Sequence, residues 1–556
     1  MKIKVNIIVL FGFLFLFSSC GTSKSVHHKP DLEGYNAMLP VVVKGSNTFY
    51  NSGKNFLAKN RQNLWELYVE GDPLERGLVM GALTDSLLKK QERVFFTKIK
   101  EMVPSKKRQK LLRSFLKWYN RKLYLNVTNE YQTEIYGISK YTSDEWNYIA
   151  PPYLRSLYLH GSHDIGHVLQ DLALVGCTSF AAWGDKSEDG SLIIGRNCDF
   201  YAGDEFAKDK IVAFVNPTDG HSFMMVTWPG MIGAISGMNM EGLTVTINAA
   251  KSKIPLIAKT PISILSREIL QYASNIDEAI VIAKKRKVFV SESIMIGSAK
   301  DKKAVIIEVS PHRVGVYNVT NSNEIVCSNH FQSPELKGDK RNRFQIVNGH
   351  TQYRYDRMQQ LISENPKINP EIAVSILRNR EGLNNLAIGY GNEKSLNQML
   401  AHHSVVFKPE QRLVWVSANP YQLGEFVCYD LNEVFKNRKE NQEIVSLQND
   451  KLDIPLDHFL NTKEYQNYED YRIADRLLSI DLKNKTILPD EYIKKYQSLN
   501  PEYWGVYYRI GLYHYQHKEY QLAQKQFETA LTKEITTVQD KEQIEKYLKK
   551  IKRKLQ

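Results

Sequence analysis

At Gly176-Cys177 the apolar residues change their spacing, and no other feature constrains the chain as much. Before it, Leu74, Leu78, Gly81, Ala82, Leu87 and Leu88 recur at helical spacing, and Leu111, Leu112, Phe115, Leu116 and Tyr119 do so among lysines and arginines. After it come short runs with strand character. Thr178 to Trp183 and Ser191 to Asn197 flank the turn residues Glu188-Asp189-Gly190-Ser191, and Lys210 to Val215, Ser222 to Thr227, Ile232 to Ser236 and Leu243 to Asn248 follow. Helical stretches at Pro261 to Tyr272 and Ile276 to Lys285 lead into further strand-like runs at Ile294 to Gly297, Ala304 to Val309 and Val314 to Tyr317. A last pair, His403 to Phe407 and Arg412 to Ser417, is joined by Lys408-Pro409-Glu410. This order predicts an α+β fold built in layers.

A chain of 556 residues has room for two or three folding units. With 42% apolar and 24% charged residues it has the composition of a folded protein. The net charge of +13 favours anionic surfaces. The lysines crowd toward the C-terminal end without aromatic interleaving, so solvated helix faces and membrane headgroups are expected and nucleic acid is not. Five widely spaced cysteines do not make a disulfide framework in a chain this long.

Residues 1–20 have the layout of a secretory signal, with Lys2 and Lys4 before an apolar run from Val5 to Phe17 that is too short to span a bilayer. Ser18-Ser19-Cys20-Gly21 resembles a bacterial lipobox, which implies lipidation of Cys20 and anchoring to the periplasmic side of the outer membrane. Residues 21–63 are expected to be a tether and 64–176 a largely helical pro-segment. A catalytic domain is expected over 177–445 and a helical region over 446–556. In that last region Tyr507, Ile510, Gly511, Ala523, Phe527 and Ala530 fall at the spacing of one tetratricopeptide-like helix pair, a surface on which a protein partner could dock.

The chemistry concentrates in Gly176-Cys177-Thr178-Ser179-Phe180 and Gly195-Arg196-Asn197-Cys198-Asp199-Phe200. A cysteine opening a strand, followed by an Arg-Asn-x-Asp-aromatic unit, resembles the acyl-coenzyme A:6-aminopenicillanic acid acyltransferase family, relatives of choloylglycine hydrolases and penicillin V acylases. The resemblance extends over roughly Leu64 to Leu431 and includes the upstream glycines and charges of Gly71-Asp72-Pro73-Leu74-Glu75-Arg76-Gly77. It implies the four-layer αββα sandwich of N-terminal nucleophile hydrolases, carrying here a helical C-terminal appendage. It also implies self-cleavage between Gly176 and Cys177. A thiol needs a base and a positive environment. Cleavage would supply the base, an α-amine with a pKa of about 7.7 to 8.0 on the nucleophile's own residue.

By the same resemblance Asp199 would orient that amine and Arg196 would favour the thiolate. Asn329, in Cys327-Ser328-Asn329-His330-Phe331, and Asn248, in Thr246-Ile247-Asn248-Ala249, would donate to the oxyanion. Arg354, in Tyr353-Arg354-Tyr355-Asp356-Arg357, would line the site or bind an acidic group of the substrate. The route calls for no cofactor and no metal. A rival signal, His160 with His163-Asp164-Ile165-Gly166-His167, resembles the two-histidine zinc helix. Aspartate replaces the motif's glutamate and no third ligand is evident, so these histidines are read as packing upstream of the cleavage site. Three functions stay open: an amidohydrolase acting on N-acyl compounds or linear amides, an acyltransferase using the same thioester, and a non-catalytic lipoprotein whose helical end recruits partners. Because every candidate catalytic residue precedes Ser446, the C-terminal region is expected to be dispensable for the bond chemistry.

Overall fold

The computed structural model describes residues 22–556, except 37, 47, 162–163, 165–175, 201–202, 252–256, 401, 438–439 and 441–442. The signal run, Cys20, His163 and His167 lie outside the described residues.

The strands up to the middle of the chain are β1 (Val43–Ser46), β2 (Phe49–Ser52), β3 (Asn55–Lys59), β4 (Trp65–Gly71), β5 (Thr178–Ala182), β6 (Ile193–Cys198), β7 (Ile211–Pro217), β8 (Phe223–Thr227) and β9 (Ser236–Asn239). They continue as β10 (Leu243–Ala249), β11 (Glu292–Ser298), β12 (Lys303–Val309), β13 (Val314–Tyr317), β14 (Glu324–Cys327), β15 (His403–Lys408), β16 (Leu413–Ser417) and β17 (Phe426–Asp430). Eleven form one sheet in the order β1-β2-β3-β4-β7-β8-β9-β10-β11-β12-β13, and six form the other in the order β14-β5-β6-β15-β16-β17.

Alternation of side chains along each strand assigns the layers. Phe214, Met224, Met295 and Ile306 of the large sheet meet Ala181, Ile194, Val405 and Phe407 of the small one in the core between the sheets. The opposite face of the large sheet packs on helices that include Pro73–Leu83, Asn129–Ser139, Pro152–His160 and Ile262–Tyr272. The opposite face of the small sheet packs on Thr351–Glu364 and Pro370–Leu377. The result is an αββα sandwich. The C-terminal helices, from Lys463–Asn484 to Val538–Leu555, build a separate core around Tyr468, Tyr496, Ile510 and Phe527. Tyr507, Ile510, Ala523, Phe527 and Ala530, five of the residues at the spacing of a helix pair, are all buried where Trp504–Gln516 crosses Tyr520–Leu531. Gly511 leaves room at that crossing, where a Cβ would stand 2.8 Å from the Phe527 ring.

The expected boundaries need three corrections. The tether over 21–63 does not run its full length, since β1, β2 and β3 extend the large sheet and bury Phe49, Phe56 and Leu57. Each apolar alternation there is too brief to stand out from the polar residues around it. The segment over 64–176 opens with a strand, β4, which pairs in parallel with β7 from the far side of Cys177. A cut at Gly176 would therefore leave both products in one sheet. Third, residues just past 446 still belong to the sandwich: Leu447 N–H donates to the buried Glu66 carboxylate at 2.7 Å and Trp415 Nε1 to Leu452 O at 2.7 Å. The run Ile232 to Ser236 is not a strand either. Its amides turn sideways to the helical layer, Ile232 N–H to His160 Nε2 and Ala234 N–H to Ser263 O, and pairing begins only at Ser236.

Candidate active site

The sequence places Cys177 immediately before β5, and period-two geometry decides what it faces. Cys177 and Ser179 share a face with Ala181, and Arg196 and Cys198 with Ile194, so all of them point between the sheets. β5 and β6 pair antiparallel with Ser179 opposite Arg196, the hairpin that the turn residues at Asp189-Gly190 predict. Arg196 Nη2 lies 3.5 Å from Cys177 Sγ. The same guanidinium is held from behind, donating to Ile247 O at 2.6 Å and to Ser236 Oγ at 2.8 Å.

His403, opposite Cys198 on β15, completes this support. Its Nε2 accepts from Arg196 Nη1 at 3.3 Å and sits 2.9 Å from Ser236 Oγ, which leaves its Nδ1 to pair with His402 Nδ1 at 2.8 Å. Burial, together with the nearby Arg196 charge, keeps both histidines neutral, far below the usual imidazole range.

The peptide bond expected to break is held from the other side. Arg354, fully buried on the helix Thr351–Glu364, donates through Nη1 to Gly176 O at 3.1 Å and to Cys177 O at 2.8 Å, and through Nη2 to Asn329 Oδ1 at 2.6 Å. Burial lowers its pKa to about 10, which still leaves it charged. Gln398 Nε2 gives the Gly176 carbonyl a second donor at 3.2 Å. A Cβ at 176 would come within 2.1 Å of the Gln398 amide, so any larger residue must displace that donor.

Asp199 lies across the sheet, its carbonyl accepting Gly176 N–H at 3.2 Å. Its Oδ1 accepts from Gln422 Nε2 at 3.3 Å, while its Oδ2 is buried with no hydrogen-bond partner among the described residues. Burial, and then the Cys177 sulfur, push this carboxyl well above the usual carboxylate range. An uncompensated charge at Oδ2 would be costly, and a cation beside it would reverse that shift.

Asn248 and Asn329 stand on the same side as Cys177. Asn248 accepts from Ser179 Oγ at 2.9 Å and donates to Cys327 O at 3.1 Å, and Asn329 donates to Ala249 O at 2.8 Å. One N–H of each amide is thus committed to the backbone and one remains for a ligand.

Among the described residues no group of three His, Cys, Asp or Glu side chains could hold a metal ion. His160 uses both ring nitrogens structurally, Nδ1 toward Ser156 O at 2.8 Å and Nε2 as acceptor from Ile232 N–H at 3.0 Å. Asp164 accepts Ile262 N–H at 2.8 Å. Arg357, the second arginine of the run 353–357, turns away toward Asn379 and Asn385.

Gln398, Gln422, Ser236 and His403 were not legible as site residues. The only sequence signal for them was the position of His403 at the start of a strand run.

Residues 186–420 match the family model described as "Acyl-coenzyme A:6-aminopenicillanic acid acyl-transferase"; the match begins beyond Cys177 and ends before the C-terminal helices. An uncharacterized protein of Archaeoglobus fulgidus is 26% identical over 151 residues, 26% of this chain and 25% of its own length. Thus the alignment spans about a quarter of that relative. Solved structures that align include a Caenorhabditis elegans N-acylethanolamine-hydrolyzing acid amidase ortholog, with TM-score 0.32 and 20% identity over 42% of this chain and 93% of that one. A mutant of the conjugated bile acid hydrolase from Clostridium perfringens aligns with TM-score 0.33 and 14% identity over 49% of this chain and 98% of that one. Arg196, Asp199, Asn248, Asn329 and Arg354 all lie inside the matched residues, so the segment 186–420 is similar to the acyl-coenzyme A:6-aminopenicillanic acid acyl-transferase family over the whole of the candidate site that follows Cys177.

Proposed function

We propose that the chain is a cysteine amidohydrolase that activates itself by cutting between Gly176 and Cys177 and then hydrolyses N-acyl or linear amide substrates through a thioester on Cys177. The observation that carries this reading is the pair of donors, Arg354 Nη1 and Gln398 Nε2, on the carbonyl of Gly176 next to a thiol that faces Arg196. An ordinary buried peptide carbonyl needs one partner. Two side-chain donors, one of them charged, suit an oxyanion.

In self-cleavage, Cys177 Sγ attacks the Gly176 carbonyl carbon, and the oxyanion develops against Arg354 and Gln398. Collapse breaks the Gly176–Cys177 amide, passes the Gly176 acyl group to sulfur and leaves a free amine on Cys177. Water then releases the Gly176 carboxylate. The new amine would meet Asp199 Oδ2, the carboxyl oxygen left unsatisfied in the uncut chain. Asp199 would then ionise and hold the ammonium or amine in place, which reverses the shift that burial imposes on it.

Turnover would repeat this chemistry on an external amide. The amine takes the thiol proton, the thiolate forms the acyl–sulfur bond, the oxyanion uses the free N–H groups of Asn329 and Asn248, and the protonated amine product leaves. Water completes hydrolysis. An amine or alcohol in its place would make the protein an acyltransferase, the activity that the name of the matched family describes.

To test this, the purified protein is mixed with an activated linear N-acyl amide and quenched during turnover. The acyl group is expected on the peptide that begins at Cys177, and acyl attachment at any other residue would overturn the assignment. Adding an amine acceptor shows whether water or amine takes the acyl group. We also infer that Cys20 carries a lipid anchor facing the periplasm, supported by Ser18-Ser19-Cys20-Gly21. Cys20→Ala should release the protein from membranes, and unchanged detergent partitioning would contradict the anchor. Among the described residues no helix is long and apolar enough to cross a membrane. A protein partner for the C-terminal helix pair remains part of this proposal.

A further inference from the structure

Cys198 occupies the open position of the Arg-Asn-x-Asp unit, and nothing in the proposed reaction uses it. The pairing of β5 with β6 sets Thr178 opposite Asn197, so one step further Cys177 stands opposite Cys198. Gly176 N–H donates to Asp199 O, which makes 176 and 199 a hydrogen-bonded pair and 177 and 198 the non-hydrogen-bonded pair between two ladder rungs. At such positions opposing Cα atoms stand about 4.5 Å apart and the side chains on one face are at their closest. That separation lies inside the span of about 4.4 to 6.8 Å that a disulfide bridges. Both thiols are free and buried. Arg196 Nη2 lies 3.5 Å from Cys177 Sγ. The pair shares its protons unequally: the neighbouring Cys198 and burial hold the Cys177 thiol well above the usual range, while Cys177 and Arg196 draw Cys198 below it against the cost of burial.

We propose that Cys177 and Cys198 are a redox pair, in which Cys198 resolves peroxide oxidation of Cys177 as a reversible disulfide that silences the site. The freed α-amine of Cys177 takes the thiol proton, as in the proposed turnover, and the thiolate attacks one oxygen of hydrogen peroxide. The S–O bond forms, the O–O bond breaks, and hydroxide leaves and takes a proton to become water. Sulfur has then lost two electrons to the peroxide. Cys198 attacks the sulfenic sulfur, the S–S bond forms, and the hydroxyl group departs as water with the Cys198 proton. A dithiol returns both thiols. Without Cys198, the sulfenic acid is exposed to a second peroxide and passes to sulfinic acid, which a dithiol does not reverse. Cys327 and Cys428 are also buried, but Cys327 stands opposite Ser179 and Cys428 opposite Trp415, so neither faces a second thiol across its strand pair.

The proposal rests on Cys177 being the nucleophile, and the two claims separate experimentally. The full chain is treated with hydrogen peroxide and digested without reductant, and amidase activity is followed before and after dithiothreitol. The expected result is a peptide pair joined through Cys177 and Cys198, two hydrogens lighter than the thiols, with activity lost and then restored. Cys198→Ala and Cys198→Ser should instead accumulate sulfinic acid at Cys177 and stay inactive after dithiothreitol. Direct passage of wild-type Cys177 to sulfinic acid without the joined peptide overturns the redox pair whether or not either variant folds. A disulfide that forms while turnover continues undiminished overturns the nucleophile assignment, and the switch with it.

Discussion

Cys177 and Arg196 meet across a single hairpin, whereas Gln398 reaches the Gly176 carbonyl from a loop whose position is set by helices at the far end of the chain. Around that loop, Asn392 Nδ2 donates to Glu534 O at 3.0 Å and Lys394 pairs with Glu534 at 2.5 Å. Thr536 Oγ1 donates to Glu393 at 2.9 Å and Asn500 Nδ2 to Tyr390 O at 2.9 Å. Gly389, at φ 78°, lies so close to Tyr503 that a Cβ would stand 2.4 Å from its backbone. The hairpin half of the site is local and carries the reacting atoms. The loop half is assembled from distant sequence and carries a donor. The C-terminal region, expected to be dispensable, thus packs on the loop that carries Gln398, and in the proposed reaction it would bear on the chemistry through that residue.

The largest effect should come from the hairpin half. Cys177→Ala removes the sulfur proposed both to cut the chain and to receive the acyl group, so it should remain one polypeptide without measurable turnover. A cut and active alanine variant would rule the sulfur out as nucleophile.

The loop half should act by degree. Gln398→Ala takes one of two donors from the developing oxyanion, and loss of such a donor costs on the order of 10² to 10³ in rate. Gly176→Ala should slow cleavage similarly, because its Cβ displaces the same amide. The time course of chain cleavage reads both, and wild-type rates in both would mean that the Gln398 contact is incidental. A smaller effect is expected further out. The partly buried Lys394–Glu534 pair contributes up to about 1 kcal/mol, so Glu534→Ala should slow cleavage by less than about tenfold. If it acts through Gln398, it should add nothing in a Gln398→Ala background, and full additivity would break the link between the C-terminal helices and the site.

A separate effect, on stability and not on rate, comes from Asp199. In the uncut chain burial holds the Asp199 carboxyl well above its ordinary value of 3.8. An acid whose proton is bound more tightly in the folded state stabilises the fold below its unfolded pKa. That contribution is lost as pH rises through the folded pKa, with a slope of up to about 1.4 kcal/mol per pH unit. Against a Cys177→Ala background, which keeps the chain uncut, Asp199→Asn should therefore raise Tm at neutral pH and flatten the fall in stability above about pH 4. Asp164 and Glu292 are shifted in the same direction and remain in both proteins, so the comparison isolates Asp199. In the cut wild type the same substitution should instead lower activity. A neutral-pH Tm that falls in the uncut variant would contradict the unsatisfied carboxyl.

The same contrast between local and distant contacts explains what could be read from the amino acids alone. The β5–β6 hairpin was legible because its alternation and its Asp189-Gly190 turn are contiguous, and Arg196 and Asp199 followed from it. The pairing of Trp504–Gln516 with Tyr520–Leu531 was legible for the same reason, since Gly511 and Phe527 lie on adjoining helices. Asn329 and Arg354 rested on resemblance, and their contact at 2.6 Å is a tertiary fact that no spacing encodes. Gln398 belongs to an aperiodic, Gly- and Asn-rich stretch that has no regular element of its own and is positioned by the side chains of distant helices. β1 to β3 escaped notice because each is only four or five residues long, too short for its pattern to show before the sheet is complete.

Intact-mass measurement of the purified wild-type protein is the most direct test of self-activation, because it needs no substrate. Two polypeptides are expected, with masses that place the break between Gly176 and Cys177, remaining associated through β4 and β7, the larger one beginning at a free cysteine. A single uncut chain that hydrolyses amides at full rate would contradict self-activation.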